Sequence, residues 1–146
     1  MKRDLRYLSI LFCILTFASC KKDPGSGGNS AITGYVHLTV INNVNFYDTL
    51  AVQDGFNEDV FIVYGDDISF GDRIRTGNDG KFEFSYLRKG KYKIYVYSEV
   101  YDTLGIGSYV PDVTISKSIE ITSKKQTLDA GTFEISKFKW TKTVPP

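Results

Sequence analysis

Polar and apolar residues alternate along two neighbouring stretches in the middle of the chain. Residues 81–86 alternate polar and aromatic side chains, and residues 91–97 begin in the same way before becoming apolar on both faces. A period of two is typical of a strand with one buried face, and a strand that is apolar on both faces belongs in the middle of a sheet. Turn-forming residues lie at 78–80 and 87–90. Residues 76–98 therefore predict a β-hairpin at the centre of an all-β domain.

Further strand patterns lie on both sides of this predicted hairpin. Residues 31–41 place their apolar side chains on one face, and Gly34 within them indicates a bulge or a close backbone approach. Residues 60–64 form a continuous apolar run rich in β-branched side chains, which favours a central strand over a turn of buried helix. Weaker strand patterns occur at 46–52, 113–115, 119–121 and 128–135. Because no segment has helical periodicity and the short strand patterns are separated by turn signals, the chain predicts an all-β fold, an antiparallel β-sandwich.

The N-terminus has a different pattern. Lys2, Arg3 and Arg6 surround the start of an apolar run at residues 7–17, which is too short to span a bilayer and is typical of a secretory signal. The run ends in Phe-Ala-Ser-Cys at residues 17–20. These four residues resemble the lipobox of bacterial lipoproteins, with a departure at the first position, where that family more often has Leu. An ordinary signal peptide with a chance cysteine is the alternative.

The lipobox resemblance implies a division of the chain. Residues 1–19 would be a lipoprotein signal peptide, and Cys20 would carry the lipid, palmitate among its acyl chains, that anchors the protein in the bacterial outer membrane. Outer-membrane sorting is implied because Lys21, and not Asp, follows the cysteine. The glycine-rich composition of residues 20–30 predicts a flexible tether. The β-sandwich domain is then expected at 31–136 and a C-terminal tail at 137–146, with the periplasmic or surface side of the membrane left open.

Charge and cysteine content narrow the function. The formal net charge is +1 and the basic residues are scattered, which argues against a nucleic-acid partner. Both cysteines, Cys13 and Cys20, lie at the N-terminus, so the predicted domain contains no disulfide and no cysteine metal site.

Three motifs in the middle of the chain combine turn glycines with alternating apolar positions. They are Ile32-Thr33-Gly34-x-Val36, Thr76-x-x-Asp79-Gly80-x-Phe82-x-Phe84 and Leu87-x-x-Gly90-x-Tyr92-x-Ile94-x-Val96. Together they resemble the carboxypeptidase regulatory-like domain family, which is similar to the transthyretin (prealbumin) fold. The resemblance covers most of residues 31–135 and departs from the family at 42–64. It implies an antiparallel, seven-stranded Greek-key β-sandwich, but the motifs specify turns and core positions and imply no chemistry.

Few residues offer catalytic or metal-binding chemistry. His37 is the sole histidine and is expected at the surface or rim of the sandwich, so neither a zinc cluster nor a histidine triad is predicted. Four carboxylates could bring oxygen ligands from neighbouring loops to Ca²⁺, but local hydrogen bonding in turns is the favoured interpretation. These are Asp66, Asp67, Asp72 and Asp79. We therefore predict no catalytic residue, no metal and no cofactor.

The tyrosines are the remaining candidates for ligand binding. Tyr95 and Tyr97 share one strand face, and Tyr101 and Tyr109 flank a glycine-containing loop. Tyrosine combines apolar area with a hydroxyl, which suits a sugar ring or a protein surface. The favoured alternative for the strand tyrosines, Tyr92 included, is that they fill the sandwich core or pair across strands. The loop is therefore the stronger candidate, since loops on rigid scaffolds carry recognition.

Together these patterns predict a membrane-anchored, non-catalytic binding or scaffolding module of the cell envelope. Its partner would be an envelope protein or a glycan. One alternative is a structural subunit of a surface assembly, which requires an unpaired edge strand. Another is an accessory hydrolase that uses paired carboxylates such as Asp66 and Asp72.

Overall fold

A computed structural model of the chain describes residues 23–42, 48–100 and 112–139. All regular structure in these ranges is β-strand, arranged in two four-stranded sheets. The strands are β1 (Ser26–Asn42), β2 (Thr49–Asp54), β3 (Asp59–Tyr64), β4 (Asp72–Arg75), β5 (Lys81–Leu87), β6 (Gly90–Glu99), β7 (Asp112–Ile121) and β8 (Thr127–Lys139). Outside the described residues lie the predicted signal peptide, Cys20 and the loop that contains Tyr101 and Tyr109.

The long strand β1 organises the first sheet, sheet A. β5 pairs antiparallel with the first half of one edge of β1 and β2 with the second half, while β8 pairs parallel with the other edge. The neighbour changes at Val36, whose amide donates to the Gly80 carbonyl at 2.9 Å and whose carbonyl accepts from the Gly55 amide at 2.8 Å. β1 is therefore the interior strand of sheet A.

The second sheet, sheet B, has the order β4-β3-β6-β7 and is antiparallel throughout. The interior positions predicted for the strands at 60–64 and 91–97 are confirmed. The all-β sandwich is confirmed as well, and the one departure from an antiparallel arrangement in the described residues is the parallel β1–β8 pair.

The core lies between the two sheets and follows the period-two pattern. The inner face of β1 is buried as predicted, and every core position of β3 and β6 is almost inaccessible to solvent. The largest fully buried side chains are Tyr92, Phe133, Ile32, Ile62, Ile94, Ile121, Ile135, Val36, Val60 and Val96. Gly34 lies where the β1–β8 register shifts, and a Cβ there would be 2.5 Å from the Phe82 ring, so the predicted bulge and close approach are confirmed.

The predicted hairpin at 76–98 is wrong. Its two strands, β5 and β6, belong to opposite sheets, because β5 pairs with β1 and β6 pairs with β3 and β7. Tyr86 has a φ of 59° and Gly90 a φ of 142°, and these left-handed conformations turn the chain out of the plane of sheet A. The alternating pattern is equally satisfied when two strands face each other across a core as when they lie side by side.

The outer face of β6 also differs from the prediction. Lys91, Lys93 and Tyr97 are exposed, so the strand is not buried on both faces. Interior position in the sheet and burial of the outer face are separate properties, and the outer face of sheet B has no layer of described residues over it.

Both predicted domain limits require correction. β1 begins at Ser26, so residues 26–30 of the predicted tether belong to the sheet. Ser26 and Ser30 are both in register with Leu87, and the three residues between them form a bulge in which a Cβ on Gly28 would lie 1.9 Å from the Leu87 carbonyl oxygen. Gly28 is thus required by close packing, and Gly27 is favoured by its φ of 93°. At the other end, β8 continues to Lys139, three residues into the predicted tail.

The buried hydroxyl of Tyr92 ties the N-terminal segment to the sandwich. It accepts a hydrogen bond from the Gly25 amide at 3.0 Å and donates to the Arg88 carbonyl at 2.7 Å. Burial raises the pKa of Tyr92 above its ordinary value of 10.0, and the hydrogen bond that the Gly25 amide donates to its oxygen lowers the pKa only in part. Above pH 10 the folded chain therefore holds a proton that the unfolded chain releases.

The raised pKa of Tyr92 predicts that the folded chain loses stability at alkaline pH. This loss should be smaller in a variant that lacks the hydroxyl. Tyr92→Phe should lower the free energy of unfolding by about 1–2 kcal/mol at neutral pH. It should also reduce the further loss of stability measured between pH 9 and pH 11, since the variant lacks the hydroxyl whose pKa differs between the folded and the unfolded chain. Urea unfolding across this pH range provides the measurement, with the exposed Tyr86→Phe as the matched control. Parallel pH curves for Tyr92→Phe and the unsubstituted chain would contradict the assignment.

Candidate binding face

Four aromatic rings form a continuous cluster on the outer face of sheet B, here called the aromatic patch. Phe61 of β3 stacks on Tyr95 of β6, with ring centroids 4.9 Å apart and an interplanar angle of 8°. Tyr97 meets Phe61 edge-on at 5.5 Å, and Phe70 meets it edge-on at 5.2 Å. Tyr95 and Tyr97 are themselves in edge contact at 5.7 Å. These offset and edge-to-face geometries are the favourable ones for aromatic pairs.

Strand register brings the patch together. Phe61 and Tyr95 are directly opposed in the β3–β6 pair, and side chains opposed in this way on one face are in contact. On the other side of β6, Tyr95 is opposed by Ser116 and Tyr97 by Thr114. The aromatic rings are therefore followed across the sheet by a row of hydroxyl groups on β7.

The patch has a buried centre and accessible edges. Phe61 is 8% exposed, whereas Tyr97 is 45% and Phe70 is 50% exposed. Burial, and then the adjacent Tyr97 hydroxyl, raise the pKa of Tyr95 above its ordinary value, so the Tyr95 ring remains neutral at physiological pH. A neutral, rigid apolar surface with hydroxyls at its edge is suited to stacking against a flat ligand.

Charged groups border the patch along β4. Arg75 donates from Nε to Asp59 Oδ1 at 3.1 Å, and Arg73 Nη1 lies 3.7 Å from Asp59 Oδ2. All three side chains are partly exposed, so this cluster contributes little to stability. It does place hydrogen-bond donors and acceptors beside the aromatic rings.

An open pocket of about 610 Å³ continues the same sheet face toward the loop between β3 and β4. Lys93, the next outward residue of β6 after Tyr95, forms part of its wall. The pocket combines carboxylates, amines and a hydroxyl, and its lining residues are Val63, Gly65, Asp66, Asp67, Lys91, Tyr92, Lys93, Ser118, Ile119 and Glu120. The face therefore offers an aromatic platform and a polar groove side by side.

The structure places the sequence-predicted tyrosines unequally. Tyr95 and Tyr97 lie on the outer face, so core filling is wrong for them and correct for Tyr92. Cross-strand pairing is confirmed for Tyr95, which is opposed by Phe61. Tyr101 and Tyr109 lie outside the described residues, and their predicted role stays a prediction. Phe61 was missed because its continuous apolar run predicted only a central strand.

Phe70 was also missed, and the sequence carries no signal for it because it lies in an irregular loop. That loop, between β3 and β4, also exposes Ile68 completely.

Of the four candidate carboxylates, Asp66 and Asp67 line the pocket on sheet B, whereas Asp72 and Asp79 make local contacts. Asp66 lines the pocket and Asp72 does not, and Asp72 Oδ1 instead accepts from the Arg73 amide at 2.7 Å. Asp79 Oδ1 accepts from the Lys81 amide at 3.1 Å, a local turn contact. No three His, Cys, Asp or Glu side chains within the described ranges are grouped so as to hold a metal ion. The accessory-hydrolase alternative, with Asp66 and Asp72 paired, stays a prediction.

His37 lies on the opposite face of the sandwich. Its Nε2 is 3.5 Å from Asp54 Oδ1 and its Nδ1 is 3.4 Å from Glu134 Oε1, each the register partner of His37 on a neighbouring strand. The imidazole is 43% exposed, which confirms its predicted surface position.

In the part of the chain that the structure describes, no helix is both long enough and apolar enough to cross a membrane.

The similarity of the chain to known proteins is distant. No protein-family model and no curated protein sequence matches the chain. Among solved structures, the chain is similar to one from Pseudomonas aeruginosa described as a "putative carbohydrate binding protein", at 14% identity and a TM-score of 0.42, covering 83% of this chain and 94% of that one. The resemblance to carboxypeptidase regulatory-like domains thus stays a prediction, and the function must be inferred from the chain's own residues.

Proposed function

We propose that this protein is a lipid-anchored, non-catalytic β-sandwich of the bacterial envelope that binds a glycan on the outer face of sheet B. The observation that carries the proposal is the aromatic patch, because this cluster of four rings leaves Tyr97 and Phe70 about half exposed on a sheet face that faces solvent. A monomeric domain gains nothing in stability from leaving such rings at its surface, and exposed apolar clusters mark binding sites.

A sugar is favoured over other ligands by the chemistry beside the rings. Sugar rings present an apolar face for stacking and hydroxyls along their edges. Tyr97 and Phe70 supply the platform, while Ser116 on β7 and Lys93 and Asp66 in the adjoining pocket supply donors and acceptors. A purely apolar partner would leave these polar groups without hydrogen bonds, which is costly.

Attachment to the membrane is part of the same proposal and rests on the order of residues at the N-terminus. A basic segment, a short apolar run, small residues and Cys20 follow one another as they do in bacterial lipoproteins. Lipid on Cys20 would hold the module at the outer membrane, where envelope glycans are abundant.

The proposal predicts a large loss of glycan affinity on removal of one exposed ring. Tyr97→Ala should weaken binding by about 10-fold to 30-fold, the effect of losing one buried aromatic anchor at an interface. The measurement is a screen of immobilised bacterial envelope polysaccharides and defined oligosaccharides, followed by calorimetry with each binder. Tyr86→Ala is the matched control, since Tyr86 is an exposed tyrosine on β5 in the other sheet.

Two results would contradict glycan binding. One is an absence of any binder in the screen while the chain is folded. The other is a binder whose affinity changes equally in Tyr97→Ala and Tyr86→Ala. If Tyr97→Ala instead released an envelope protein co-purified with the unsubstituted chain, the same face would be a protein-binding surface, and the glycan proposal would be overturned.

A further inference from the structure

Four basic side chains line an open pocket at the end of the sandwich where the chain enters the fold. Arg88 and Lys89 come from the crossover between β5 and β6, and Lys124 and Lys125 from the turn between β7 and β8. The pocket has a volume of about 860 Å³, and the glycine-rich bulge of β1 completes its wall. No carboxylate is among its lining residues. We name it the cationic pocket.

Arg88 has unsatisfied hydrogen-bonding capacity in this pocket. Its Nε is buried and has no hydrogen-bond partner among the described residues. The guanidinium lies over Gly27, with Nη2 3.1 Å from the position that a Cβ on Gly27 would occupy. A buried donor on a charged group is costly when unpaired, so an anionic oxygen in the pocket would relieve that cost.

The surrounding backbone holds the cations in place. The Arg88 amide donates to the Gly25 carbonyl at 2.9 Å, and its carbonyl accepts from Tyr92. In the facing turn, Gln126 Oε1 accepts from the backbone amides of Thr122 and Ser123, each at 3.2 Å. The positive charges therefore converge from two fixed turns, and no side chain in the described ranges forms an ion pair with any of the four basic residues.

The position of the pocket relative to the chain entry indicates what it faces. Pro24 packs against Gly65 and Gly90, so the chain is fixed to this end of the sandwich from that residue onward. The chain from Cys20 to Pro24 can span only about 14 Å, at roughly 3.5 Å per extended residue. A lipid on Cys20 would therefore hold this end of the domain, and the cationic pocket with it, at the membrane surface.

We infer that the cationic pocket binds the phosphate of an anionic phospholipid headgroup in the membrane that carries the protein. This inference rests on the lipid anchor in the proposed function. Arginine recognises phosphate oxygens through directed, charge-assisted hydrogen bonds, and nearby lysines add attraction to an anionic surface. The pairing would satisfy Arg88 Nε and set the orientation of the sandwich on the bilayer.

This orientation has a consequence for the aromatic patch. Tyr97 lies seven residues from Gly90 along β6, which is roughly 23 Å at about 3.3 Å per residue of strand. With the Gly90 end at the membrane, the exposed edge of the aromatic patch points away from the lipid headgroups and stays accessible to an envelope glycan.

The test follows the NMR signals of the lipidated protein, purified from the envelope in non-ionic polyoxyethylene micelles. Phosphatidylglycerol is added to one sample, and diacylglycerol, which lacks the phosphate, to another. We expect phosphatidylglycerol alone to shift the Arg88 Nε–H signal and the Lys125 amide signal. The variant R88Q/K125Q should weaken the response by about 10-fold to 100-fold, as expected for the loss of charged hydrogen bonds. K81Q/K139Q, with the same change in charge at exposed sites elsewhere, should leave it unchanged.

Further arms separate the possible failures. Equal shifts with diacylglycerol, or equal weakening in the two double variants, would overturn the inference. Inorganic phosphate binding as tightly as phosphatidylglycerol would overturn the lipid source in favour of a soluble phosphate ligand. The mass of the N-terminal peptide reports separately whether Cys20 carries lipid, so failure of the anchor is distinguishable from failure of the pocket.

Discussion

Replacing Phe133 by alanine should lower the free energy of unfolding by about 3–5 kcal/mol, the usual cost of truncating a fully buried phenylalanine. Phe133 on β8 has no solvent exposure, and its ring packs against Phe82 with centroids 5.8 Å apart. It also supports Lys117, whose Nζ lies 4.7 Å from the ring centroid and donates to two carbonyls of β8. Truncation would therefore leave a cavity and remove the cation–π contact between the sheets.

Urea unfolding followed by circular dichroism measures this effect. The matched control is Phe56→Ala, which removes an exposed ring from the turn between β2 and β3 and should change stability by less than about 1 kcal/mol. Phe133→Leu should give an intermediate loss, since it fills most of the cavity. A loss at Phe133 no larger than that at Phe56 would show that the β8 edge of the sandwich is not packed as described.

A chain that begins at Ala31 should be less stable than one that begins at Asp23 by roughly 3–5 kcal/mol, since several partly buried hydrogen bonds are lost together. The missing residues supply the Gly25 amide to Tyr92 at 3.0 Å and the Gly25 carbonyl to Arg88 at 2.9 Å. They also supply the Ser30 hydroxyl, which accepts from the Gln126 amide at 3.1 Å. A flexible tether would contribute none of these contacts.

Gly28→Ala provides an independent test of the same segment in the full chain. A Cβ at this position would lie 1.9 Å from the Leu87 carbonyl oxygen, so the bulge must move and stability must fall. Gly77→Ala is the control, because a Cβ there would lie 3.1 Å from a side-chain oxygen of Asp79 and 3.8 Å from the nearest backbone atom, the Lys81 carbonyl oxygen. Equal stability of the two truncated chains, with a neutral Gly28→Ala, would restore the tether interpretation.

The alternation of polar and apolar residues predicted which side chains of a strand are buried in the core. The alternation in residues 31–41 predicted the inner face of β1, and the apolar run at 60–64 predicted an interior strand. Gly34 was identified as a close approach because an isolated glycine in a strand has few other roles. These properties depend on a period of two, which the chain displays directly.

The sequence identified two of the four rings of the aromatic patch. Tyr95 and Tyr97 were recognised as sharing a face, but alternation does not tell whether an aromatic face is covered by another layer or left to solvent. Phe61 and Phe70 joined them through pairing with another strand and through a loop, and neither contact is encoded in sequence spacing. The same limit applies to the cationic pocket, since its basic residues come from two turns far apart in the chain.

The all-β class, the positions of the strands other than β4 and the lipoprotein-like pattern of the N-terminus follow from the sequence, because each depends on residues close together along the chain. The tertiary structure alone decided which sheet each strand joins, that residues 26–30 are strand, and which aromatic rings meet. β5 and β6 carry the pattern of a hairpin, yet two left-handed residues near their connection place them on opposite sides of the core. Gly28 lies in a segment whose composition predicted a flexible tether. The structure requires glycine there because β1 packs directly against Leu87. Such outcomes depend on long-range packing, in which a residue's neighbour in space is not its neighbour in sequence.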